Sequence, residues 1–140
     1  MSNSWICIDA NLVVRLVADP ADTVVRRQWE QWDADRCQLA APTLLYYEVT
    51  NALCRYQNAG FLAPASAQLA LRAALALPIR LHGEAEIHQR AVRLAERFSL
   101  PTASDAHYLA LAEWLGGEFW TADGKLLQKV QSALPWAHLL

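Results

Sequence analysis

The feature that most constrains the fold is a series of short apolar runs, each separated from the next by helical segments. The first run, residues 5–8, is apolar on both faces and stops at Asp9, which is typical of a buried strand in a parallel sheet. The other predicted strands are residues 38–41, 79–81, 119–122 and an edge strand at 138–140. Strands that alternate with helices need crossover connections, and the pattern predicts an α/β fold with a mostly parallel sheet of about five strands flanked by helices.

The segments between the runs carry helix start and stop signals. Asp22 and Thr43 are candidate N-caps, Gly60 is a candidate stop, and Gly116 with Gly117 closes a strongly apolar helix that begins near Asp105. The predicted helices are residues 11–18, one that starts at Asp22, 44–58, 64–77, 84–98, the Asp105 helix and 125–130. Repeats, linkers and low-complexity tracts are absent from the sequence, so residues 1–140 are predicted to form one domain.

Composition narrows the class of protein. The chain has 140 residues and a net charge of −2, so no domain-wide basic field favours nucleic acid and such a substrate would need a local patch or a metal. Cys7 and Cys54 lie in apolar patterns, which favours buried thiols in a reducing compartment over a disulfide framework. We see neither a signal peptide nor a membrane span, so a cytoplasmic protein without a membrane partner is expected.

Four carboxylates occupy related places in this pattern. Asp9 and Asp123 each follow a predicted strand, and Asp105 lies at the start of a helix. Glu48 lies just over one turn into the helix after the second strand. Ligands of open parallel sheets bind outside the carboxyl ends of the strands. We therefore expect the four acids to meet at that edge.

Taken alone, most of these acids have an ordinary structural explanation. Asp9 could cap a helix, Asp105 could complete a capping box with Thr102, and Asp123 precedes a glycine as in many turns. Glu48 is harder to explain in this way, because its helical position points it toward the sheet. Four clustered carboxylates repel one another unless a cation neutralises them.

The ligand types indicate which cation would bind. An all-oxygen site without cysteine or histidine suits Mg²⁺, with Mn²⁺ as a substitute, and such a site can activate a water for phosphoryl displacement. Thr121 shares a strand face with Asp123 and could orient that water, and Asn11 could bind a ligand or cap a helix. Basic residues near the same edge could contact phosphates or simply be solvated. They are Arg15, Arg55, Lys125 and Lys129.

Four stretches of the chain resemble, in order, the motifs of PIN-domain nucleases, and the resemblance is greatest to the VapC-type toxins of toxin–antitoxin pairs. They are IDANLV at 8–13, YEVTNAL at 47–53, SDAHYLALA at 104–112 and TADGKL at 121–126. The resemblance spans nearly the whole chain, and the third motif is the most distinctive. Ala10 departs from the serine or threonine of many members, although others have alanine.

The resemblance implies a three-layer PIN-like fold and an endoribonuclease that depends on Mg²⁺ or Mn²⁺. It also implies a homodimer and inhibition by a small cognate antitoxin protein. By motif position, Asp9, Glu48, Asp105 and Asp123 would be the metal-binding and catalytic acids, and Thr121 matches the hydroxyl residue of the fourth motif. RNA would be the substrate.

Other functions remain to be compared with this one. A catalytically silent PIN-like module that acts through a protein partner is the main alternative, although an inert scaffold has no physical need for mutually repelling acids. A haloacid-dehalogenase-like phosphatase would need a second aspartate at position 11, which is asparagine, and a phospho-receiver would need acids adjacent to Asp9. His107 could act as a general base or line a surface.

Overall fold

The structure is a computed structural model that describes residues 4–140. Its strands are β1 (Trp5–Ile8), β2 (Gln38–Pro42), β3 (Ile79–His82), β4 (Glu118–Thr121) and β5 (Ala137–Leu139). Its helices are α1 (Ala10–Ala18), α2 (Thr23–Ala34), α3 (Leu45–Asn58), α4 (Pro64–Leu75), α5 (Ala85–Arg97), α6 (Ser104–Leu115) and α7 (Gly124–Val130). The prediction of one domain over 1–140 includes three residues outside the described range.

The five strands form one parallel sheet in the order β3-β2-β1-β4-β5. Strands β1 and β2 are largely buried and β4 alternates between buried and half-buried residues, whereas β3 and β5 at the edges expose part of their length. This difference follows from position, because a central strand is covered by helices on both faces and has neighbours on both sides. The predicted parallel sheet of about five strands is confirmed.

Helices cover both faces of the sheet. The connections from β1 to β2 and from β2 to β3 run in one direction along the sheet, and those from β3 to β4 and from β4 to β5 run in the opposite direction. Because crossovers between parallel strands are right-handed, helices α1–α4 lie on one face of the sheet and α5–α7 lie on the other. Helix α6 packs directly on β1, β2 and β4 and is covered by α5. Its buried run Tyr108, Leu109, Ala110, Leu111 and Ala112 reflects that sandwiched position. The three-layer architecture is confirmed.

The direction of the connections reverses between two neighbouring strands at the centre. The chain leaves β1 toward β2 on one side and leaves β4 toward β5 on the other. Two such strands leave a crevice between their outgoing loops, which is the usual ligand site of an open α/β sheet. Asp9 follows β1 and Asp123 follows soon after β4, so the fold places both acids at this crevice.

Two helix starts differ from the predictions. Helix α3 begins at Leu45 with Leu44 at the N-cap position, so Thr43 lies one residue too early and does not cap it. The Thr43 N–H donates to the His82 carbonyl at 3.0 Å and extends the ladder between β2 and β3. No capping box forms at α6, whose N-cap is Ala103 without a side-chain bond. By contrast, Asp22 caps α2 by accepting from the Val25 N–H at 3.2 Å, as predicted.

The other element boundaries lie within a few residues of the predictions. Strand β4 runs one residue earlier than predicted and β5 begins at Ala137 rather than at 138. Helix α4 ends at Leu75, two residues before the predicted end. Gly60 and Gly116 adopt positive φ values at the ends of α3 and α6, which confirms both as helix stops.

The predictions about the cysteines and about membrane spans can be compared with the structure. Cys7, Cys37 and Cys54 form no disulfide within residues 4–140, and Cys7 is buried. The prediction for Cys54 was wrong, because the buried stripe of α3 is Leu45, Val49 and Leu53 and the next residue turns away from it. The longest helix in residues 4–140 has 14 residues, and none there has the length and apolarity needed to cross a bilayer.

Candidate functional site

Four acidic side chains line one cleft at the carboxyl edge of the sheet. The cleft has a volume of about 330 Å³. Asp9 reaches it from the end of β1, Glu48 from the first turn of α3, Asp105 from the first turn of α6, and Asp123 from the start of α7. Its lining residues are Asp9, Ala10, Asn11, Val14, Arg15, Glu48, Ala52, Arg55, Tyr56, Asp105 and Asp123. The structure thus brings together four acids that are up to 114 positions apart in the chain.

Asp9 is the most buried of the four and is held by a polar network. Its side chain is 6% exposed, and it does not cap α1 although it occupies the N-cap position. The Thr121 hydroxyl donates to Asp9 Oδ2 at 2.8 Å, and the Asn11 amide donates to the same oxygen at 3.4 Å. The ordinary explanation of Asp9 as a helix cap is therefore wrong. Its carboxylate is instead fixed toward the cleft by side chains of β4 and α1.

Thr121 and Asn11 tie the end of β1 to the end of β4. The fully buried Thr121 hydroxyl also accepts from the Asp123 N–H at 2.9 Å and from the Asn11 amide at 3.2 Å. Asn11 Oδ1 accepts from the Ala122 N–H at 3.1 Å. Asn11 caps no helix, and its amide connects the two loops that leave the central strands. Because the Thr121 hydroxyl proton is donated to Asp9, the hydroxyl orients that carboxylate.

The electrostatics of the cleft show that the acids interact. Burial raises the pKa of Asp9 from 3.8 to about 7, the Thr121 bond lowers it, and the charges of Asp105 and Glu48 raise it. Burial and the Asp123 charge raise the pKa of Asp105, against a lowering effect from Lys129. The cleft therefore resists carrying its full negative charge without a cation.

The Glu48 carboxylate accepts a hydrogen bond from one side chain of α6. Its Oε1 accepts a hydrogen bond from the Tyr108 hydroxyl at 2.6 Å, across 60 positions of sequence. Burial raises the pKa of Glu48, the Tyr108 bond lowers it and the Asp105 charge raises it. Glu48 is half-buried and faces the cleft rather than bulk solvent. Tyr108 lies inside the third motif, but its apolar neighbours on α6 concealed its polar role.

Asp123 combines two roles. One carboxylate oxygen, Oδ1, caps α7 by accepting from the Lys125 and Leu126 N–H groups at 3.0 and 3.1 Å. Asp123 was explained as half of a turn pair with Gly124, but that oxygen caps a helix, and Gly124 is the first residue of α7. Within residues 4–140, its second oxygen takes no hydrogen bond, and Asp123 still lines the cleft. A helix N-terminus beside the acids partly offsets their charge.

The predicted substrate-binding cations differ in position. Arg15 lines the cleft, but it pairs with Asp22 at 2.8 Å and donates to the Leu140 carbonyl at 3.0 Å. Lys125 is exposed and is not one of the residues that line the cleft. Arg55 and Tyr56 line it from the last turn of α3. Arg55 is therefore better placed than Lys125 to meet a bound anion, and Tyr56 was not anticipated.

His107 faces a different part of the surface. Its Nδ1 lies 2.6 Å from the Ala103 carbonyl, and its Nε2 lies 2.8 Å from His88 Nδ1. Because a carbonyl only accepts, neutral His107 carries its proton on Nδ1 and accepts from His88. The imidazole lines a separate depression with His82 and His88. A general base for the acidic cleft is not available from this ring in its observed position.

The donor set fits a hard divalent cation by its chemistry. All candidate ligands are carboxylate oxygens, which Mg²⁺ and Mn²⁺ prefer, and the raised pKa of Asp9 reports an unneutralised buried acid. Over the described part of the chain, however, no three His, Cys, Asp or Glu side chains are grouped closely enough to hold an ion as they stand. Mutual repulsion gives a physical reason for this spread, because carboxylates without a cation move apart.

Two solved structures share the fold of this chain, whereas sequence comparisons find no match. A scan against protein-family models finds no match, and a search of curated protein sequences finds none. Among solved structures, the chain is similar to one from a toxin–antitoxin complex of Klebsiella pneumoniae, with 19% identity over 96% of each chain and a TM-score of 0.70. It is also similar to PAE2754 from Pyrobaculum aerophilum, with 24% identity over 99% of this chain and 90% of the other, and a TM-score of 0.70. At these identities the likeness establishes that this chain shares their three-layer α/β fold.

Proposed function

We propose that this protein is a Mg²⁺- or Mn²⁺-dependent endoribonuclease and the toxin component of a toxin–antitoxin pair. One observation carries the proposal: four carboxylates from separate elements line one cleft at the reversal point of the sheet. The order of the four motifs and the shared fold with a chain of a toxin–antitoxin complex support it. The proposed substrate of the cleft is RNA.

The proposal gives each polar residue of the cleft a task. Asp9, Glu48, Asp105 and Asp123 hold the cation, Thr121 and Asn11 orient Asp9, and Tyr108 contacts Glu48. A bound divalent ion supplies an activated water and stabilises the charge that develops on the phosphate during hydrolysis. Arg55, exposed on the same cleft, is placed to neutralise a neighbouring phosphate of the strand. Arg15 and Lys125 are secondary candidates for this task.

The proposal is tested with purified protein and total RNA. We expect cleavage with Mg²⁺ or Mn²⁺ that chelator abolishes and that Asp9→Asn reduces by at least about a hundredfold, the loss typical of removing a main charge-stabilising group. Asp33→Asn is the matched control, because Asp33 is an exposed aspartate of α2 outside the cleft. Equal cleavage by wild type and Asp9→Asn would identify a contaminating nuclease and remove the catalytic assignment.

A catalytically silent module that acts through a protein partner is the second candidate. The separation of the acids, which form no ready ligand group within residues 4–140, favours it. The two candidates differ in metal binding. If the protein is a metal-dependent nuclease, calorimetric titration with Mn²⁺ should show saturable binding that Asp9→Asn weakens. If it is a catalytically silent module, the titration should show no heat of saturable Mn²⁺ binding.

Protein partners are part of the proposal. We infer a cognate antitoxin protein and a homodimer from the resemblance, and the fold shared with a chain of a toxin–antitoxin complex supports the antitoxin. Several apolar side chains are exposed on α3, α4 and the turn between them, which is the kind of surface that a partner covers. They include Tyr47, Phe61, Leu69 and Leu75. Light scattering of the purified protein would measure the mass in solution and so test the dimer.

A further inference from the structure

Tyr108 is the only polar side chain in the buried part of α6, and its hydroxyl meets one of the cleft acids. The buried residues of this helix within the described range are Ala106, Tyr108, Leu109, Ala110, Leu111 and Ala112. A phenylalanine would fill the same apolar space without a polar atom. Burying a hydroxyl is costly unless it has a hydrogen-bond partner, and the partner here is Glu48 at 2.6 Å. The hydroxyl therefore needs an explanation beyond packing.

The ring of Tyr108 is held firmly in the core. Its side chain is fully buried and packs against Phe119 of β4, with 6.3 Å between ring centroids. The Tyr108 carbonyl accepts from the Cys7 thiol at 3.3 Å, which ties α6 to β1. A donor fixed in this way sets the direction of whatever accepts from it.

Glu48 depends on that donor. Its side chain leaves α3 on the opposite face of the sheet from α6, and it has several rotatable bonds that must be fixed before the carboxylate has one orientation. The bond from Tyr108 is the one hydrogen bond that the Glu48 carboxylate accepts within residues 4–140. A tyrosine donates without adding positive charge, whereas a lysine or arginine in the same place would neutralise the acid and compete with a cation.

We propose that Tyr108 is a positioning residue for the cation site, and that its buried hydroxyl holds Glu48 in the orientation in which that acid contributes to the cleft. This inference rests on the proposed function. Tyr108 touches neither the substrate nor the cation in this scheme. It acts through Glu48, as outer-shell partners of metal ligands do, and removing such partners costs about 10- to 100-fold in metal affinity.

The test is a Mn²⁺-binding measurement on the full chain, read from the loss of the free-ion resonance signal in electron paramagnetic resonance. We expect Tyr108→Phe to fold cooperatively and to weaken Mn²⁺ binding by about tenfold. Tyr46→Phe is the matched control, because the Tyr46 hydroxyl likewise donates a part-buried hydrogen bond, to the Ala74 carbonyl at 2.8 Å, and its loss should leave Mn²⁺ binding unchanged.

A double-mutant cycle separates positioning from packing. In a Glu48→Gln background, the further change Tyr108→Phe should have little effect on Mn²⁺ affinity, because the group that it positions no longer carries charge. A tenfold loss in both backgrounds would mean that Tyr108 acts through general packing and would overturn the inference. Equal Mn²⁺ affinity of wild type and Tyr108→Phe would overturn it while leaving the metal-dependent function intact. Absence of Mn²⁺ binding by wild type would overturn both.

A second measurement does not require the Tyr108→Phe variant to fold. The chain has four tyrosines, so protein labelled with 3-fluorotyrosine should give four fluorine resonances, which variants of the other three tyrosines assign. Mg²⁺ should shift the Tyr108 resonance in wild type and not in Glu48→Gln, while the Tyr46 resonance stays in place. The positioning role would be contradicted if Mg²⁺ did not shift the Tyr108 resonance in protein that is shown by Mn²⁺ titration to bind metal.

Discussion

At the scale of single residues, Asp9 shows why the cleft is energetically demanding. Asp9 is 6% exposed and lies beside other acids, and the hydrogen bonds from Thr121, Asn11 and the Ala10 backbone replace only part of the hydration that its carboxylate loses. The raised pKa of Asp9 expresses this cost directly. Under the proposed function, this local loss of stability is the cost of placing an acid where it could hold a cation.

This cost predicts that the metal-free protein loses stability as pH rises. The native Asp9 carboxyl has a pKa of about 7 against 3.8 for the unfolded chain, so between these pH values the native state holds a proton that the unfolded state has released. The free energy of unfolding should therefore fall across this window, by about 4 kcal/mol at most from Asp9. The raised pKa values of Glu48 and Asp105 act in the same direction.

Urea denaturation of chelator-treated protein at pH 5 and pH 8 measures this dependence. Asp9→Asn should flatten it, because the amide does not titrate in this range. A wild-type free energy of unfolding that increases from pH 5 to pH 8 would show that the buried carboxyl does not govern this part of the stability curve.

The Thr121 hydroxyl gives a second prediction at this scale. Thr121→Val keeps the shape of the side chain but removes the donor to Asp9 and the acceptor of the Asp123 N–H. We expect a loss of about 2 kcal/mol in the free energy of unfolding, because buried partners are left without hydrogen bonds. Thr121→Ser should retain most of the stability. Thr50→Val, at an exposed position of α3, is the control and should change little.

At the scale of elements, local patterns predicted the strands and helices well, and contacts between distant elements explain the errors. Thr43 was predicted to cap α3, but its backbone continues the ladder to His82 of β3 and the helix starts after Leu44, which no local pattern shows. Cys54 looked buried because its neighbours in sequence are apolar, but only one stripe of α3 faces the core. The four acids were identifiable because each lies at a strand end or a helix start.

The bond between Tyr108 and Glu48 could not be predicted in the same way. Apolar periodicity identifies α6 as a core helix, and an aromatic residue in such a stripe is most simply read as packing. Which core tyrosine meets which acid depends on how α3 and α6 are placed against the sheet. That placement is a property of tertiary structure, since the two residues are 60 positions apart.

The end of α6 offers a prediction about two adjacent glycines. Gly116 has a φ of 66°, and a Cβ there would meet nothing within 4 Å, so Gly116→Ala should cost about 1 kcal/mol through backbone strain alone. At Gly117 a Cβ would collide with the backbone of Trp5 in β1. Urea denaturation should therefore show Gly117→Ala to be clearly the more destabilising change. Equal losses would mean that β1 and the end of α6 separate easily.

At the scale of the whole molecule, the sheet brings the start and end of the chain together. Strand β1 lies at the centre and pairs on one side with β2 and on the other with β4, with Ile8 opposite Trp120. Asn11 and Thr121 then join the two strand ends by hydrogen bonds. The cleft is therefore a product of the complete sheet, and ligand binding there should stabilise the fold as a whole.

The corresponding prediction concerns divalent cations. A ligand that binds only the native state stabilises it by about 4 kcal/mol at roughly 1,000 times its Kd. We expect Mg²⁺ to raise the melting temperature at pH 8, to do so less at pH 5, where Asp9 is protonated, and to have little effect on Asp9→Asn. Sodium chloride at matched ionic strength controls for screening. An equal rise in the variant would indicate non-specific binding of the cation.

The central position of β1 also has a consequence for synthesis on the ribosome. The N-terminal strand leaves the exit tunnel early, yet its neighbour β4 and the cap residue Asp123 are translated more than 100 residues later. In a nascent chain, Asp9 is therefore present before Thr121, which donates a hydrogen bond to it, and before Asp123, which lines the same cleft. Whatever chemistry the cleft supports is therefore withheld until β4 and Asp123 have emerged and joined β1.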